Sequence, residues 1–274
     1  MDHSTRDGLI EAVRHAARED ILPRFRNLSP DAIEVKTGPQ DLVTVADKAA
    51  ERSIAAAAER LCPGALVVGE EAVEADPSLL DRLAGADHAV IIDPIDGTGN
   101  FVNGMATFGT ILAVTKAGET VFGLLYDPVG DDWIMATKGE GAWYCRPGHP
   151  PLRLTGSEAV PLAGARAFVP LFLYPPERRA AVAGTLPAFA RASDLRCSCH
   201  EYRQFALGHA EVIVSPMAKP WDHAAGMLVV AECGGVGWSN GRMGYDPARP
   251  VPPVVVAATE DLLHEVLGMT ALFG

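Results

Sequence analysis

Basic residues are scarce: 23 lysines and arginines stand against 35 aspartates and glutamates, a formal net charge of −12. That balance argues against a nucleic-acid backbone or an anionic membrane surface as the main partner, and it favours sites that recruit cations. Long apolar runs are missing as well. The opening stretch MDHSTRDGLIEAVRHAARED is polar and amphipathic, without a run of signal-peptide length, and no later segment approaches a membrane span. The sequence therefore reads as soluble and cytoplasmic, with no membrane partner. Cysteines number only five, at positions 62, 145, 197, 199 and 233. An odd, scattered set in a chain too large to need disulfide staples fits thiols kept reduced. Internal repeats and low-complexity tracts are absent too.

What the chain does have is ordinary globular material, 274 residues with 48% hydrophobic and 21% charged content, enough for one large domain or two modest ones. A first helix is expected from Ser4, with Asp7 three positions on in a capping-box relation and Ile10, Val13, Ala17 and Ile21 on one face, ending at Pro23. A loop with Lys36, Thr37, Gly38 and Pro39 follows. Then comes a second helix on Ala46, Ala50, Ile54 and Ala57, stopped by Cys62, Pro63 and Gly64. Asp47 and Glu51, four apart, share one of its sides.

Two short apolar strands then end on carboxylates: 65–68 before Gly69, Glu70 and Glu71, and 89–92 before Asp93. A helix near 78–83 separates them. The runs 108–116, 120–127 and 132–137, joined by turns at Gly118 or Pro128 and Gly130, read as an antiparallel meander. The cluster RPGHPP at 146–151 divides the chain into an α+β half (1–148) and an α/β half (149–274). The second half alternates: strands near 165–169, 195, 211–214 and 254–257, and helices at 176–191, 201–207 and 222–232 and from Glu260.

The stretch DPIDGTGNFVNG, 93–104, is a poor way to finish a buried strand unless something charged binds there. Gly97 and Gly99 bracket Thr98, so backbone amides can approach an anion while a hydroxyl is offered among them. A P-loop would need Gly-Lys-Ser/Thr, and an EF-hand would need an oxygen ligand where Ile95 stands. Glu70, Asp93, Asp96 and Asp222 lie at element ends. Hard cations such as magnesium take oxygen ligands, and two ions about 3.5–4 Å apart commonly serve phosphoryl chemistry. Singly, each acid has a bland explanation: Asp-Pro opens turns, Asp222 makes a good helix N-cap, and Glu-Glu after a strand is often solvated surface. Cys197, Ser198, Cys199 and His200 read as residues packing a helix start rather than as a zinc fragment. His223 reads as a packing neighbour of Asp222 and His209 as surface.

In order and spacing the chain resembles the inositol monophosphatase family, whose relatives include fructose-1,6-bisphosphatase, histidinol-phosphatase and 3′(2′),5′-bisphosphate nucleotidase. The motifs are the Lys36 loop, DLVTVAD ending at Asp47, GEE at 69–71, DPIDGTGNF at 93–101, and PWDHAAG at 220–226 followed by AECGG. The resemblance implies a layered αβαβα sandwich and a phosphomonoesterase that cuts by attack of a metal-activated water on phosphorus. It implies that Glu70, Asp93 and the Ile95 carbonyl hold one Mg2+ and that Asp93, Asp96 and Asp222 hold a second, with up to three ions in all. Mn2+ is an alternative metal, and Ca2+ or Li+ would inhibit. The amides of Gly97 and Thr98 would bind phosphate, Thr98 with Asp47 and Glu70 would serve catalysis, and Glu71 would stand behind the metal ligands. A homodimer acting on a small phosphorylated metabolite is expected.

Two departures bear on substrate. Ser215 stands seven residues before Asp222, where inositol-cleaving members commonly carry a glutamate, and Arg196, Cys197, Ser198 and Cys199 replace a small-residue segment. Losing a carboxylate should loosen preference for inositol, and an arginine there would favour a second anionic group. Gly99, in place of a bulkier residue, is expected to open the pocket wall. The expected substrate is thus an inositol-1-phosphate-like sugar, polyol or amino-alcohol phosphate. Histidinol phosphate, fructose 1,6-bisphosphate and a 3′-phosphoadenosine nucleotide are the alternatives, and a catalytically silent binding protein on the same fold is the non-enzyme alternative.

Overall fold

The computed structural model describes residues 1–38 and 41–273. Helix α1 (His3–Ala16) starts one residue before Ser4. Its cap is Asp2, whose Oδ1 accepts the Thr5 N–H at 2.8 Å, so Ser4 and Asp7 do not form the expected capping box. The helix relaxes into a π turn (Ala17–Ile21) and a 3-10 turn through Pro23 (Leu22–Arg24). Strand β1 (Ile33–Gly38) pairs antiparallel with β2 (Asp41–Thr44), so Lys36 lies in a strand rather than in the expected loop; Pro39 falls outside the described residues. Helix α2 (Val45–Leu61) opens with a capping box between Thr44 and Asp47.

Strand β3 (Leu66–Gly69) runs into α3 (Glu70–Ala75), and α4 (Ser78–Leu83) leads to β4 (His88–Asp96), which is followed by the short α5 (Thr98–Val102). The meander then appears as expected: β5 (Gly109–Lys116), β6 (Glu119–Asp127), β7 (Asp132–Thr137) and β8 (Gly141–Cys145). Strand β9 (Leu152–Leu154) lies beyond the RPGHPP segment, yet it pairs with β8 and forms the edge of this first, seven-stranded sheet.

The second sheet has six strands, in the order β11 (Arg191–Ser193), β10 (Arg166–Phe168), β12 (Val212–Ser215), β15 (Val254–Ala257), β13 (Val236–Ser239) and β14 (Arg242–Met243). Its helices are α6 (Pro176–Ala183), α7 (Ser198–Ala206), α8 (Pro220–Glu232) and α9 (Glu260–Leu267). The expected helix 176–191 stops at Ala183, because Gly184 and then Pro187 interrupt it. The strand expected near Leu195 ends at Ser193, and the β13–β14 hairpin was not anticipated.

Alternate residues of the buried strands sort the layers. On β4, Val90 and Ile92 face a core with Leu9, Val13, Ala50 and Ile54 of α1 and α2. Ala89 and Ile91 face the other way, onto Tyr202, Phe205 and Ala225 of α7 and α8. That same core takes Ile213, Val254 and Val256 from the second sheet, whereas Val212, Val214 and Val255 point outward onto Val182 and Leu262 of α6 and α9. The layers are therefore αβαβα, with α7 and α8 between two sheets. Burial on both faces explains why these strands read as continuous apolar runs.

Candidate active site

The strand β4 carries two acids past its apolar segment. Asp93 and Asp96 are 2% and 8% exposed, and the register with β5 shifts between them. Asp222, third residue of α8, reaches the same place from the second sheet's side; Lys219, not Asp222, occupies the N-cap. One carboxylate oxygen from each of Asp93, Asp96 and Asp222 lies within 4.8 Å of the others. Burial, the largest cause at each, pushes the carboxyls of all three above the usual range; repulsion from Glu70 adds to it, while the hydrogen bonds from Cys199 and Cys197 at Asp96 and the Lys219 charge at Asp222 work against it. Asp93 Oδ1 is buried and has no hydrogen-bond partner. An orphaned, all-oxygen acidic centre of this kind fits a hard divalent cation, which would supply the missing partner and relieve the repulsion.

Asp96 is aimed by the segment that opens α7. The Cys199 N–H donates to its Oδ2 at 2.5 Å, and the Cys197 thiol reaches the same oxygen at 3.1 Å. Both cysteines are buried and all five are free, so their place is at this helix start. Neither role was visible in the sequence, which marked the pair only as packing residues. Asn100, 3% exposed, ties the loop to both halves: its Nδ2 donates to the Thr107 carbonyl at 2.7 Å and to the Leu195 carbonyl at 2.8 Å.

Glu70 begins α3 and lines the same cavity, but its carboxylate is outside the group of three. It is drawn to the Lys36 ammonium at 3.3 Å and lies 3.9 Å from that of Lys219, while Glu71 accepts from Lys36 at 2.6 Å. Burial works against the Lys36 charge, yet the two glutamates raise its pKa above the ordinary value. Behind them, Glu51 accepts the Glu71 and Ala72 N–H groups at 2.8 and 2.9 Å. The sequence offered only its spacing from Asp47 as a hint.

Thr98 joins the acids to α2. Its hydroxyl is 3.0 Å from Asp47 Oδ1 and 2.9 Å from the Ile95 carbonyl, and with one proton it donates to one of them at a time. Asp47, 1% exposed, holds the Thr44 N–H and hydroxyl on its other oxygen at 2.8 and 2.5 Å. Burial raises its carboxyl to about 7 against the pull of those Thr44 hydrogen bonds. Gly97 caps α5 at φ +86°, and a Cβ there would sit 3.1 Å from the Thr107 carbonyl and 3.2 Å from that of Arg196, so the turn needs glycine twice over. The Thr98 and Gly99 N–H groups belong to the first turn, outside the helix's own ladder.

The remaining wall contains Phe172, Asp194, Arg196, Ser198, Ser215 and Lys219 around a cavity of about 180 Å³. Gly99 does not open this wall. A Cβ at Gly99 would lie 3.2 Å from Arg196 Nη2, so the space left by the missing side chain is taken by the guanidinium. The Ser215 hydroxyl donates to the Met217 carbonyl at 3.1 Å and accepts its N–H at 3.2 Å, a local turn. His223 is buried against the Tyr202 hydroxyl at 2.9 Å, and His209 is exposed, as expected of both.

Acids and hydroxyl converge in this way on a scaffold that others share: a model described as the inositol monophosphatase family matches residues 2–267. The chain belongs to that family. Its similarity to the inositol monophosphatase family includes 32% identity to an inositol-1-monophosphatase of Bacillus subtilis (strain 168), over 74% of each chain. Nus factor SuhB of Escherichia coli (strain K12) is 32% identical over 82% of each chain. The fructose-1,6-bisphosphatase/inositol-1-monophosphatase of Thermotoga maritima is 29% identical over 75% of this chain and 74% of that one. Among solved structures, Staphylococcal IMPase-I complexed with products superposes with a TM-score of 0.81 at 21% identity, covering 98% of this chain and 96% of the other, a likeness of fold.

Proposed function

We propose that this protein is a magnesium-dependent phosphomonoesterase acting on a small sugar, polyol or amino-alcohol phosphate. The observation that carries the reading is the buried trio Asp93, Asp96 and Asp222, with its unpartnered Asp93 oxygen, set beside the Thr98–Asp47 pair. In this reading Asp93, Asp96 and Asp222 hold one cation, and Asp93 with Glu70 and the Ile95 carbonyl holds another. Glu70 would exchange its contact with Lys36 for that role, and Glu71 would keep Lys36 nearby. Bound cations would neutralise phosphate charge and lower the pKa of water at the site.

The protein's own groups do the rest. The Gly97 and Thr98 amides would hold the phosphate, and Thr98 Oγ1, 3.0 Å from Asp47 Oδ1, can pass a hydrogen bond between an attacking water and Asp47. With its carboxyl raised to about 7, Asp47 can accept a proton through Thr98 near neutral pH. Asp96 is held in position by Cys197 and Cys199 rather than by rotamer preference alone. A panel of inositol 1-phosphate, histidinol phosphate, fructose 1,6-bisphosphate and 3′-phosphoadenosine 5′-phosphate, assayed for free phosphate with Mg2+, tests the reading. Wild type should release phosphate and Asp96→Asn should lose at least about 100-fold of that activity. Release that is equal in the two proteins would sink the assignment.

A second reading is favoured by the relatives named Nus factor SuhB: a non-catalytic binding role on the same fold. The two separate cleanly, because a binding partner captured equally by wild type and Asp96→Asn needs no turnover. The acidic balance of −12 supports a partner that is not nucleic acid, and a homodimer is the expected assembly.

A further inference from the structure

The turn that carries Glu70 is held from outside its own segment. Gly69 occupies the N-cap of α3 and has no side chain to offer, so the first N–H groups of this six-residue helix find no partner within it. Glu51, on α2, supplies one. Its Oε2 accepts the Glu71 N–H at 2.8 Å and its Oε1 accepts the Ala72 N–H at 2.9 Å. The carboxylate fits because position 69 is glycine: a Cβ there would lie 2.2 Å from Glu51 Cδ, far inside van der Waals contact. A capping acid and a missing Cβ thus serve one contact between two helices.

An acid is electrostatically unfavourable in this place. Glu51 is 8% exposed, and burial raises its carboxyl to about 7; the two N–H groups pull it down, and the charges of Glu71 and Glu70 push it up again. Glutamine would escape that repulsion. An amide, however, accepts through its oxygen alone, and two backbone N–H groups side by side call for two acceptor oxygens. The residue is matched to the backbone of the turn rather than to the charge around it.

Resting on the metal assignment proposed above, we infer that Glu51 is a positioning residue: it fixes the first turn of α3 so that Glu70 meets the cation shared with Asp93, and it keeps that turn in register with Asp47. Both registers are visible in the fold. Gly69 pairs with Ile92 of β4, so Glu70 leaves β3 beside Asp93, and Glu51 stands one helical turn after Asp47, whose Oδ1 lies 3.0 Å from the Thr98 hydroxyl. The Lys36 contact cannot do this work. It grips the Glu70 side chain, which a cation would draw away, whereas a clamp on the Glu71 and Ala72 backbone survives that exchange. Partners that orient a metal ligand from behind commonly contribute about 10- to 100-fold to metal affinity.

The test is a double-mutant cycle read by calorimetric titration of Mg2+ into metal-free protein, without substrate. Glu70→Gln should weaken Mg2+ binding, which marks the ion that Glu70 holds. Glu51→Gln should weaken binding of the same ion by about 10- to 100-fold, and should raise by a similar factor the Mg2+ concentration that half-saturates phosphate release. In the Glu70→Gln background the further change should be under about 2-fold, because Glu51 acts through Glu70. Gly69→Ala keeps an ordinary extended backbone but displaces the Glu51 carboxylate, so it should reproduce the loss without adding to that of Glu51→Gln. It carries the comparison should Glu51→Gln fail to fold by its thermal melt. An Mg2+ affinity unchanged by Glu51→Gln or by Glu70→Gln would overturn the inference, as would an equal fold-loss in both backgrounds, the mark of a general loosening. Wild type that shows the coupling yet releases phosphate from no member of the panel would overturn the phosphatase reading and leave the role of Glu51 in Mg2+ binding standing; wild type that binds no Mg2+ would overturn both.

Discussion

Asp47→Asn should separate the ionisation of this buried carboxylate from its shape. The side chain is 1% exposed, and its carboxyl stands at about 7 instead of 3.8. Asparagine keeps an acceptor for the Thr44 N–H and turns its amide toward Thr98 Oγ1, whose own proton can go to the Ile95 carbonyl 2.9 Å away. The packing is therefore nearly unchanged. In wild type, both folded and unfolded chains carry the proton below pH 3.8. Between 3.8 and 7 the unfolded chain has released it while the folded chain keeps it, so stability falls by ~1.4 kcal/mol per pH unit and levels off above 7. The total is of order 4 kcal/mol, with roughly 2 kcal/mol of it lost between pH 5 and 7. Asparagine has no such loss. Urea unfolding in EDTA at pH 5, 6, 7 and 8 should thus show Asp47→Asn gaining on wild type as pH rises to 7, then holding its lead. The same variant should lose phosphate release with Mg2+. A stability difference that stays constant from pH 5 to 8 would refute the account of Asp47 as a buried carboxyl that titrates near neutrality.

Other consequences follow from the same geometry. Millimolar Mg2+ should raise the melting temperature of EDTA-treated wild type by relieving repulsion among Asp93, Asp96 and Asp222, and Asp93→Asn should remove most of that rise in a calorimetric scan. Gly97→Ala should cost about 1–3 kcal/mol in urea unfolding, because alanine must adopt φ +86° and its Cβ meets the Thr107 carbonyl; an unchanged midpoint would contradict the turn. Asn100→Ala should cost about 1–3 kcal/mol for each carbonyl it orphans, Thr107 and Leu195, and should weaken phosphatase activity by loosening the segment that aims Asp96. Full activity with lowered stability would restrict Asn100 to a structural role.

Much of the arrangement was legible along the chain. Several local preferences are carried through into the structure: α2 stops at Cys62 before Pro63 and Gly64, the meander turns where glycine and proline cluster, and β4 is a continuous apolar run because helices cover both of its faces. Gly97 and Thr98 were recognisable for the same reason, since a left-handed glycine before a hydroxyl is a property of consecutive residues. The boundary at RPGHPP was less informative, because β9 returns to the first sheet by pairing with β8, and pairing between strands leaves little trace in either strand alone.

Tertiary structure decided the rest, for a common reason: each feature depends on residues distant in sequence arriving at one point. Asp222 meets Asp93 and Asp96 only because α8 is packed between the two sheets. Glu70 lines the same cavity as the other acids but is also drawn to Lys36, which no spacing rule could indicate. Cys197 and Cys199, unremarkable as thiols, aim Asp96 because α7 begins beside it. Gly99 looked like an open space in the sequence and is a filled one in the fold, since Arg196 arrives from almost a hundred residues away to occupy it. The sequence by itself determined which groups are available for chemistry at phosphorus; only the folded chain decided which of them touch, because contact depends on the packing of both sheets at once.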